Sequence, residues 1–592
     1  MTHVSQSAVA PAPASHPEVA EALRDCRRAF WSVALFSAAV NVLMLAGPLY
    51  MLQIYDRVLT SRSVPTLVAL TVFLIGAYAF QAAFDVIRSR VVVRAAAMLD
   101  RRLGSTVHAA VIRLGLVTRS PGEAHQPVRD LDQIRSFLTS AGPVSIVDLP
   151  WVPVFLFICF LIHPWLGLLS LAGAILLLGL TILTERATRA PAREAARDGG
   201  VRLAAVEADR RNSETVTAMG MAGTLATRWG HVNARYLAAV GRSADVAGSY
   251  GSATKGIRLL LQSAILGLGA YLVIRGEMTA GAMIAASIMM GRALAPIETA
   301  IANWRGFVAA RQSVQRLSEQ LQRLRSNDAT TELPKPVQSL EADGITVMAP
   351  AGQTPIVRDA RFRLTAGEAL GIIGPSGAGK TSLVRALVGI WRPSRGTVRL
   401  DGAALEQWDP EALGRHIGFV SQGIELFDGS IAETIARMTP APDSEAVIRA
   451  ARAAGAHDMI LRLPNGYDTA IGEAGTVLSA GQRQRIALAR ALFGDPFLVV
   501  LDEPHSNLDH EGELALTQAI QAAKARRAIV VLIAHRPSAL AACDKVLFLA
   551  NGAQQAFGPR DEVLQKVLAR PAQPAAGANL KVVSDATGAN ER

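Results

Sequence analysis

Cysteine is almost missing from this chain: Cys26, Cys159 and Cys543 are the three among 592 residues. They lie far apart with no metal-ligand or redox spacing, which excludes a disulfide framework and a cysteine-built metal centre. Cys159 falls inside an apolar run and reads as a small buried or lipid-facing residue. A secretory leader is also wanting. The first 20 residues are rich in Ala, Pro, Ser and His and carry no apolar core. No cleavable signal peptide is expected, the first membrane span must direct insertion itself, and these residues are expected to form a mobile tail.

Charge is sparse as well. Asp, Glu, Lys and Arg make up 18% of the chain, half of all residues are hydrophobic, and the mean hydropathy is +0.27. The length is too great for one core and implies two or more domains. The apolar excess sits in the first half as long runs, the pattern of membrane spans. The formal net charge is +11, but the basic residues cluster where apolar runs end. Arg88, Arg90, Arg94, Arg101 and Arg102 follow one run, and Arg186, Arg189, Arg193 and Arg197 follow another. That distribution fits cytoplasmic loops and argues against nucleic acid as a partner.

The runs resolve into six spans. The first extends from about Phe30 to Leu52 and the second from about Val64 to Ile87. Residues Val144 to Leu183 are too many for one span, and His163-Pro164-Trp165 near their middle marks a hairpin, because a proline disfavours helical geometry in the residue before it. The last pair runs from about Ile257 to Ile274 and from Ala280 to Ile297, turning at Arg275-Gly276-Glu277. The links after spans one, three and five carry only Arg57, Arg62 and Arg275, so both termini are expected to be cytoplasmic. Segments 88–143 and 184–256 are expected to carry the membrane helices onward into the cytosol. The expected domains are a tail and elbow over 1–28, a membrane domain over 29–326, a linker over 327–336, a nucleotide-binding domain over 337–570 and a disordered tail over 571–592. Short β-rich runs alternating with helical stretches make the soluble domain α/β.

Gly374-Pro375-Ser376-Gly377-Ala378-Gly379-Lys380-Thr381-Ser382 lies between an expected strand, Leu370–Ile373, and an expected helix. In that setting the glycines let backbone N–H groups turn onto phosphate oxygens at a helix N-terminus. Lys380 is expected to reach the β- and γ-phosphates of ATP, and the Thr381 hydroxyl to hold Mg²⁺. The apolar run Leu498–Leu501 ends in Asp502 and Glu503. Asp502 is placed to bind the metal and Glu503 to orient or deprotonate the attacking water. A solvent-exposed acidic pair at a strand end is the other reading of these two residues.

With Leu478-Ser479-Ala480-Gly481-Gln482 between those motifs, the chain resembles an ATP-binding-cassette exporter of the half-transporter type over nearly its whole length. The fold implied is an all-α six-helix transmembrane domain followed by an α/β P-loop NTPase domain. The resemblance implies that Gln422 lies in the Q-loop, touching the γ-phosphate and metal. It implies that Ser479, Gly481 and Gln482 form a signature loop acting on ATP held by a second copy, and that Ser506–Asp509 is the D-loop. His535 matches the switch histidine, and Gly472-Glu473-Ala474-Gly475 the X-loop. Two positions depart from the family pattern. Ala480 replaces a glycine, and Ala349 stands where an aromatic would stack on adenine.

Other runs resemble the type I secretion ATPase/permeases that export metalloproteases and lipases: Asp148-Leu-Pro-Trp-Val-Pro-Val154, Ala218-Met-Gly-Met221, Glu368–Ser376, Trp391-Arg-Pro393, Gln407-Trp408-Asp409 and Leu413–Ile417. The resemblance implies a homodimer in the bacterial inner membrane. It implies an unfolded protein substrate with a C-terminal signal, a periplasmic adaptor (membrane fusion protein), an outer-membrane channel and surrounding membrane lipid. With only a short segment before the first span, neither the N-terminal peptidase of bacteriocin exporters nor the peptidase-like domain of some toxin exporters is expected. Asp148 is expected either to cap a helix start near the interface or to line the export path, and Trp304 and Arg305 to pack or snorkel. Arg129–Asp132 and Glu214–Ala218 are candidate tips that couple the two domains. Export of lipids or small amphipathic molecules is the alternative activity, and a membrane-anchored regulatory ATPase is a rival of another class, disfavoured by the number of spans.

Overall fold

The computed structural model describes residues 17–117, 125–324, 333–349, 352, 354–472, 475, 477–534 and 537–568. The chain divides into two units, Met1–Ser326 and Asn327–Arg592.

The first unit contains six helical segments long and apolar enough to cross a membrane: Val19–Ser61, Val64–Leu116, Gly142–Ile162, Pro164–Arg211, Ala222–Ile274 and Ala280–Gln322. Three of the helices are far longer than a bilayer requires. Val64–Val117, Pro164–Arg211 and Ala222–Ile274 run 54, 48 and 53 residues, against the ~20 that span the hydrocarbon. The third and fourth spans meet at His163, whose backbone is extended (φ −161°, ψ 134°) because Pro164 follows it. Its Nδ1 accepts from the Trp165 N–H at 3.3 Å, capping the next helix.

Helix begins at Pro17 rather than after a tail reaching residue 20. The reason is amphipathic: Val19, Ala22 and Cys26 recur at helical spacing and are buried against Leu99, Leu103, Leu131 and Leu317. The first span is interrupted near Gly47-Pro48 and ends in a π-helical turn, Ile54–Val58. Asp56 of that turn accepts from the Thr279 hydroxyl at 2.6 Å and the Gly281 N–H at 3.0 Å, so it caps the Ala280–Ala302 helix from outside. Cys159 is fully buried in the bundle core.

Asp148 does not cap a helix start with its side chain. It ends the Gly142–Asp148 helix just before a 3₁₀ turn, Leu149–Trp151, and its side chain accepts no bond from a helix N-terminus. Its carboxylate instead takes Asn41 Nδ2 at 2.8 Å and the Arg88 guanidinium at 3.2 Å, while Arg88 also donates to Asp85 at 2.6 Å and Ser37 at 3.0 Å. A carboxylate at membrane depth needs such a partner, and two other helices supply it here.

Asp130 likewise differs from the coupling-tip expectation. It is buried and pairs with Arg316 at 2.5 Å, within the membrane unit. The connection preceding it, 118–124, lies outside the described residues. Glu214, by contrast, sits on a short helix, Ser213–Ala218, joining two of the long helices, with almost every residue exposed.

The second unit is built on a ten-stranded sheet ordered β5-β4-β1-β2-β10-β9-β3-β8-β7-β6. The strands are β1 Ser339–Met348, β2 Pro355–Thr365, β3 Ala369–Ile373, β4 Arg395–Leu400, β5 Ala403–Ala404, β6 Ile417–Val420, β7 Leu498–Asp502, β8 Ile529–Ile533, β9 Lys545–Ala550 and β10 Ala553–Pro559. From β9 through β3, β8 and β7 to β6 the pairing is parallel. These strands are continuous apolar runs because both faces are covered: β7 and β8 are buried at every position. The β1, β2, β4 and β5 edge is antiparallel. Asp401 fastens the chain entering β1, accepting from the Val337, Gln338 and Ser339 N–H groups at 2.6–2.8 Å. The last described helix, Arg560–Leu568, ends the unit; the expected tail 571–592 and linker residues 327–332 lie outside the described residues.

Candidate functional site

Register brings the site together. Ile372 of β3 pairs with Ile533 of β8, Asp502 of β7 pairs with the same Ile533, and Leu501 pairs with Val420 of β6. The carboxyl ends of β3, β8, β7 and β6 therefore share one rim, where parallel α/β sheets place their ligands. The loop 374–379 leaves β3 there, Asp502 and Glu503 leave β7, and Gln422 follows β6 by two residues.

The loop wraps the start of the Lys380–Leu387 helix. Pro375, Ser376 and Gly377 are exposed, Ala378 is buried beneath them, and Thr381 and Ser382 are half-buried in the first helical turn. Gly379 precedes the helix with φ +96°, a left-handed geometry that a Cβ would strain. Gly374 is constrained more tightly still, since a Cβ there would lie 2.1 Å from the Leu549 carbonyl oxygen. Lys380 is buried, and its Nζ donates to the Gly374 and Pro375 carbonyls at 2.8 and 3.0 Å, which holds the ammonium beneath the loop. Together these groups form a concave set of N–H donors with a cation beneath it, suited to a polyphosphate.

The Thr381 hydroxyl lies 3.4 Å from Asp502 Oδ1. Burial pushes the Asp502 carboxyl above its ordinary value, opposed by the Thr381 bond, and burial pulls Lys380 below its own, opposed by Glu503 and Asp502. A buried carboxylate facing a hydroxyl at this distance fits Mg²⁺. That ion takes one or two protein oxygens and completes its shell with phosphate and water. Consistently, no cluster of three or more His, Cys, Asp or Glu suited to a metal occurs among the described residues. Glu503, half-buried with φ +52°, turns its carboxylate toward Gln422, whose Nε2 donates to it at 3.3 Å. His535 lies outside the described residues, as do Glu473 and Ala474.

Ser479, Gly481 and Gln482 are placed at another surface of the unit. Ser479 caps the Ala480–Leu492 helix in a reciprocal box: its hydroxyl accepts from the Gln482 N–H at 3.3 Å and the Gln482 side-chain Oε1 accepts from the Ser479 N–H at 2.9 Å. The Ala480 methyl starts the helix without disturbing that box. Gly481 faces the Asn507 carbonyl, 3.0 Å from where a Cβ would stand. Two ties behind this surface escape a motif-based reading. Arg485 pairs with Asp509 at 2.7 Å, and Gln484 Nε2 donates to the Pro504 carbonyl. Both follow Gln482 within the same helix, so the Gln-Arg-Gln-Arg run was the available signal. They connect the Ala480–Leu492 helix directly to the segment after Glu503.

The family model described as ABC transporter matches residues 357–506, and the one described as ABC transporter transmembrane region matches residues 30–294. The chain belongs to the ABC transporter family. It is 51% identical over 572 residues to the type I secretion system ATP-binding protein PrsD of Rhizobium meliloti, covering 97% of this chain and 98% of that protein. It is 30% identical to the cyclolysin secretion/processing ATP-binding protein CyaB of Bordetella pertussis, covering 92% of this chain and 77% of that one. It is 31% identical to the leukotoxin translocation ATP-binding protein LktB of Mannheimia haemolytica, covering 91% and 77%. A solved bacterial Atm1-family ABC exporter with ATP bound superposes with a TM-score of 0.79 at 24% identity, over 92% of this chain and 96% of that one. The exporter fold and an ATP-hydrolysing transport activity follow. The Met1–Ser326 unit is the multi-pass membrane part, and the rim of the parallel sheet belongs to the ATPase.

Proposed function

We propose that the protein is the ATP-driven inner-membrane component of a type I protein secretion system. It exports an unfolded protein carrying a C-terminal signal, working with a periplasmic adaptor and an outer-membrane channel. The 51% identity to a type I secretion ATP-binding protein over 98% of that protein's length carries this reading.

In this reading two copies clamp two ATP molecules. Lys380 and the N–H groups of residues 374–379 hold the phosphates, and Thr381, Asp502 and Gln422 hold Mg²⁺. The metal, when bound, neutralises charge on the β- and γ-oxygens. Glu503 takes the proton of the attacking water, Gln422 orients it, and His535 contacts the γ-phosphate. Ser479, Gly481 and Gln482 of a second copy close the site from across the dimer. The contact of Gln422 with Glu503 supports the pairing of these two roles. Both termini lie in the cytoplasm.

The test is secretion by intact cells. Cells lacking this chain, complemented with wild type or Glu503→Gln, are compared by mass spectrometry of the medium. One or a few proteins should vanish without the chain, return with wild type and stay absent with the variant. An unchanged set of secreted proteins would overturn the reading.

A further inference from the structure

A cavity of about 490 Å³ opens within the membrane unit, between the Pro164–Arg211, Ala222–Ile274 and Ala280–Ala302 helices and the start of the Trp304–Leu324 helix. None of the nucleotide chemistry uses it. Its depth follows from helix geometry at 1.5 Å per residue. Thr184 lies twenty residues after Pro164, Lys255 nineteen before Ile274 and Glu298 eighteen after Ala280. Each is therefore roughly 27–30 Å from the hairpin end of its own helix. The cavity stands where the ~30 Å hydrocarbon layer gives way to headgroups on the side away from the hairpins.

The lining has two chemically different halves. Lys255 and Arg305 supply cations, and neither has an ion-pair or hydrogen-bond partner among the described residues. The other half is mainly lone pairs: the Glu185 and Glu298 carboxylates and the threonine hydroxyls, with Arg258 already held by Glu298. Thr181, Thr184 and Thr254 each spend their hydroxyl hydrogen on a backbone carbonyl of their own helix, at 2.7–2.8 Å, so their oxygens face the cavity as acceptors. Glu298 gives Oε2 to Arg258 at 3.2 Å and leaves Oε1 buried with no partner. A buried carboxylate oxygen without a donor is costly, and a ligand donor would relieve it. Trp304 and Leu177 add the apolar surface and interfacial ring that an acyl-bearing ligand requires.

We propose that this cavity is a phospholipid headgroup site selective for an aminophospholipid. The lipid phosphate lies on Lys255 and Arg305. The primary ammonium donates to Glu298 Oε1 and the threonine oxygens. The glycerol and first methylenes lie against Leu177 and Trp304. Free phosphoethanolamine shares the polar chemistry but lacks the chains. The inference rests on the chain's being a multi-pass membrane protein and not on the nature of its cargo.

The test uses the full-length protein purified in mild detergent and examined by native mass spectrometry. It is titrated with phosphatidylethanolamine, phosphatidylglycerol or water-soluble phosphoethanolamine. Wild type should retain one phosphatidylethanolamine per chain at least fivefold better than phosphatidylglycerol. Lys255→Ala/Arg305→Ala should lower retention of both lipids about tenfold. Glu185→Gln/Glu298→Gln, which keeps both side-chain volumes, should abolish the preference while leaving phosphatidylglycerol retention within twofold. Each variant is checked for wild-type ATP binding, so a folding defect is recognised independently. Unchanged adducts in Lys255→Ala/Arg305→Ala, equal retention of the two lipids by wild type, or full displacement of lipid by phosphoethanolamine would overturn the assignment. A chain that retains the lipid but secretes no protein would refute the secretion role and leave this site standing.

Discussion

Asp502→Asn should make the nucleotide-free protein more stable while disabling it. Asp502 is 2% exposed at the centre of the parallel sheet, and its bond from Thr381 is a long 3.4 Å. Of the two cations that act on it, Arg385 and Lys380, neither forms an ion pair with it, and Lys380 is committed to the Gly374 and Pro375 carbonyls. A buried polar group so weakly satisfied costs roughly 1–3 kcal/mol. Asn has the same shape, no charge, and an amide able to donate to the Thr381 oxygen, so about 1–2 kcal/mol should be recovered. For a domain of this size that corresponds to a rise of about 2–8 °C in melting temperature. The sign with pH follows from the raised carboxyl. Folding favours the protonated form, so Asp502 stabilises below its ordinary value and loses that contribution as pH rises through the raised value. The advantage of Asn should thus be largest at alkaline pH and fade as pH falls toward the ordinary carboxylate range. Saturating Mg²⁺ and ATP should reverse the order, because ligand at a hundred times its Kd stabilises by about 2.7 kcal/mol and the variant loses the metal-dependent part. Differential scanning fluorimetry with chelator, and with Mg²⁺ and ATP, measures all of this. A variant that melts at or below wild type without nucleotide at alkaline pH, or a gap independent of pH, would refute the buried-charge argument.

Glu503→Gln should bind ATP normally, accumulate as an ATP-bound dimer, and hydrolyse about 10²–10⁴-fold more slowly; hydrolysis within a few-fold of wild type would remove Glu503 from the proton-transfer role. Gly481→Val should leave ATP binding to the isolated protomer intact but suppress ATP-induced dimerisation, as seen by light scattering, because its side chain meets the Asn507 carbonyl. Ala349→Tyr should tighten ATP binding by the ~1–3 kcal/mol of a base–aromatic stack, measured by fluorescent nucleotide titration; an unchanged Kd would mean that adenine is held elsewhere. Arg316→Ala strands buried Asp130 with only the Gln126 amide at 3.2 Å. Since Arg316 is itself half-exposed, solvent screening limits the loss to about 1–2 kcal/mol. A lower melting temperature in detergent, with unaltered ATP affinity, is expected.

The gathering of the candidate site residues at one rim was legible because their sequence patterns are local. A glycine-rich turn between strand and helix, and an acidic pair ending an apolar run, are contiguous patterns whose geometry the backbone enforces. The spans were legible for the same reason. What stayed hidden depends on partners distant in sequence. The cap reading of Asp148 failed because the groups that answer its carboxylate, Arg88 and Asn41, come from other helices. Asp130 looked like an exposed tip because Arg316, which buries it, is 186 residues away. The helix from Pro17 was masked by its proline and alanine content. Only the spacing of Val19, Ala22 and Cys26 betrays the buried face. Asp56 gave no hint that it would cap a helix more than two hundred residues later.

The second span offers a final consequence. As one uninterrupted helix of 54 residues, Val64–Val117 is a rod about 80 Å long, of which the bilayer can hold little more than a third. Such a rod transmits tilt with amplification. A rotation of about 6° around its hairpin end carries the far end through about 8 Å, more than one helical turn. Substitutions that soften its middle, such as paired glycines, should uncouple movement at its two ends while leaving each end correctly folded.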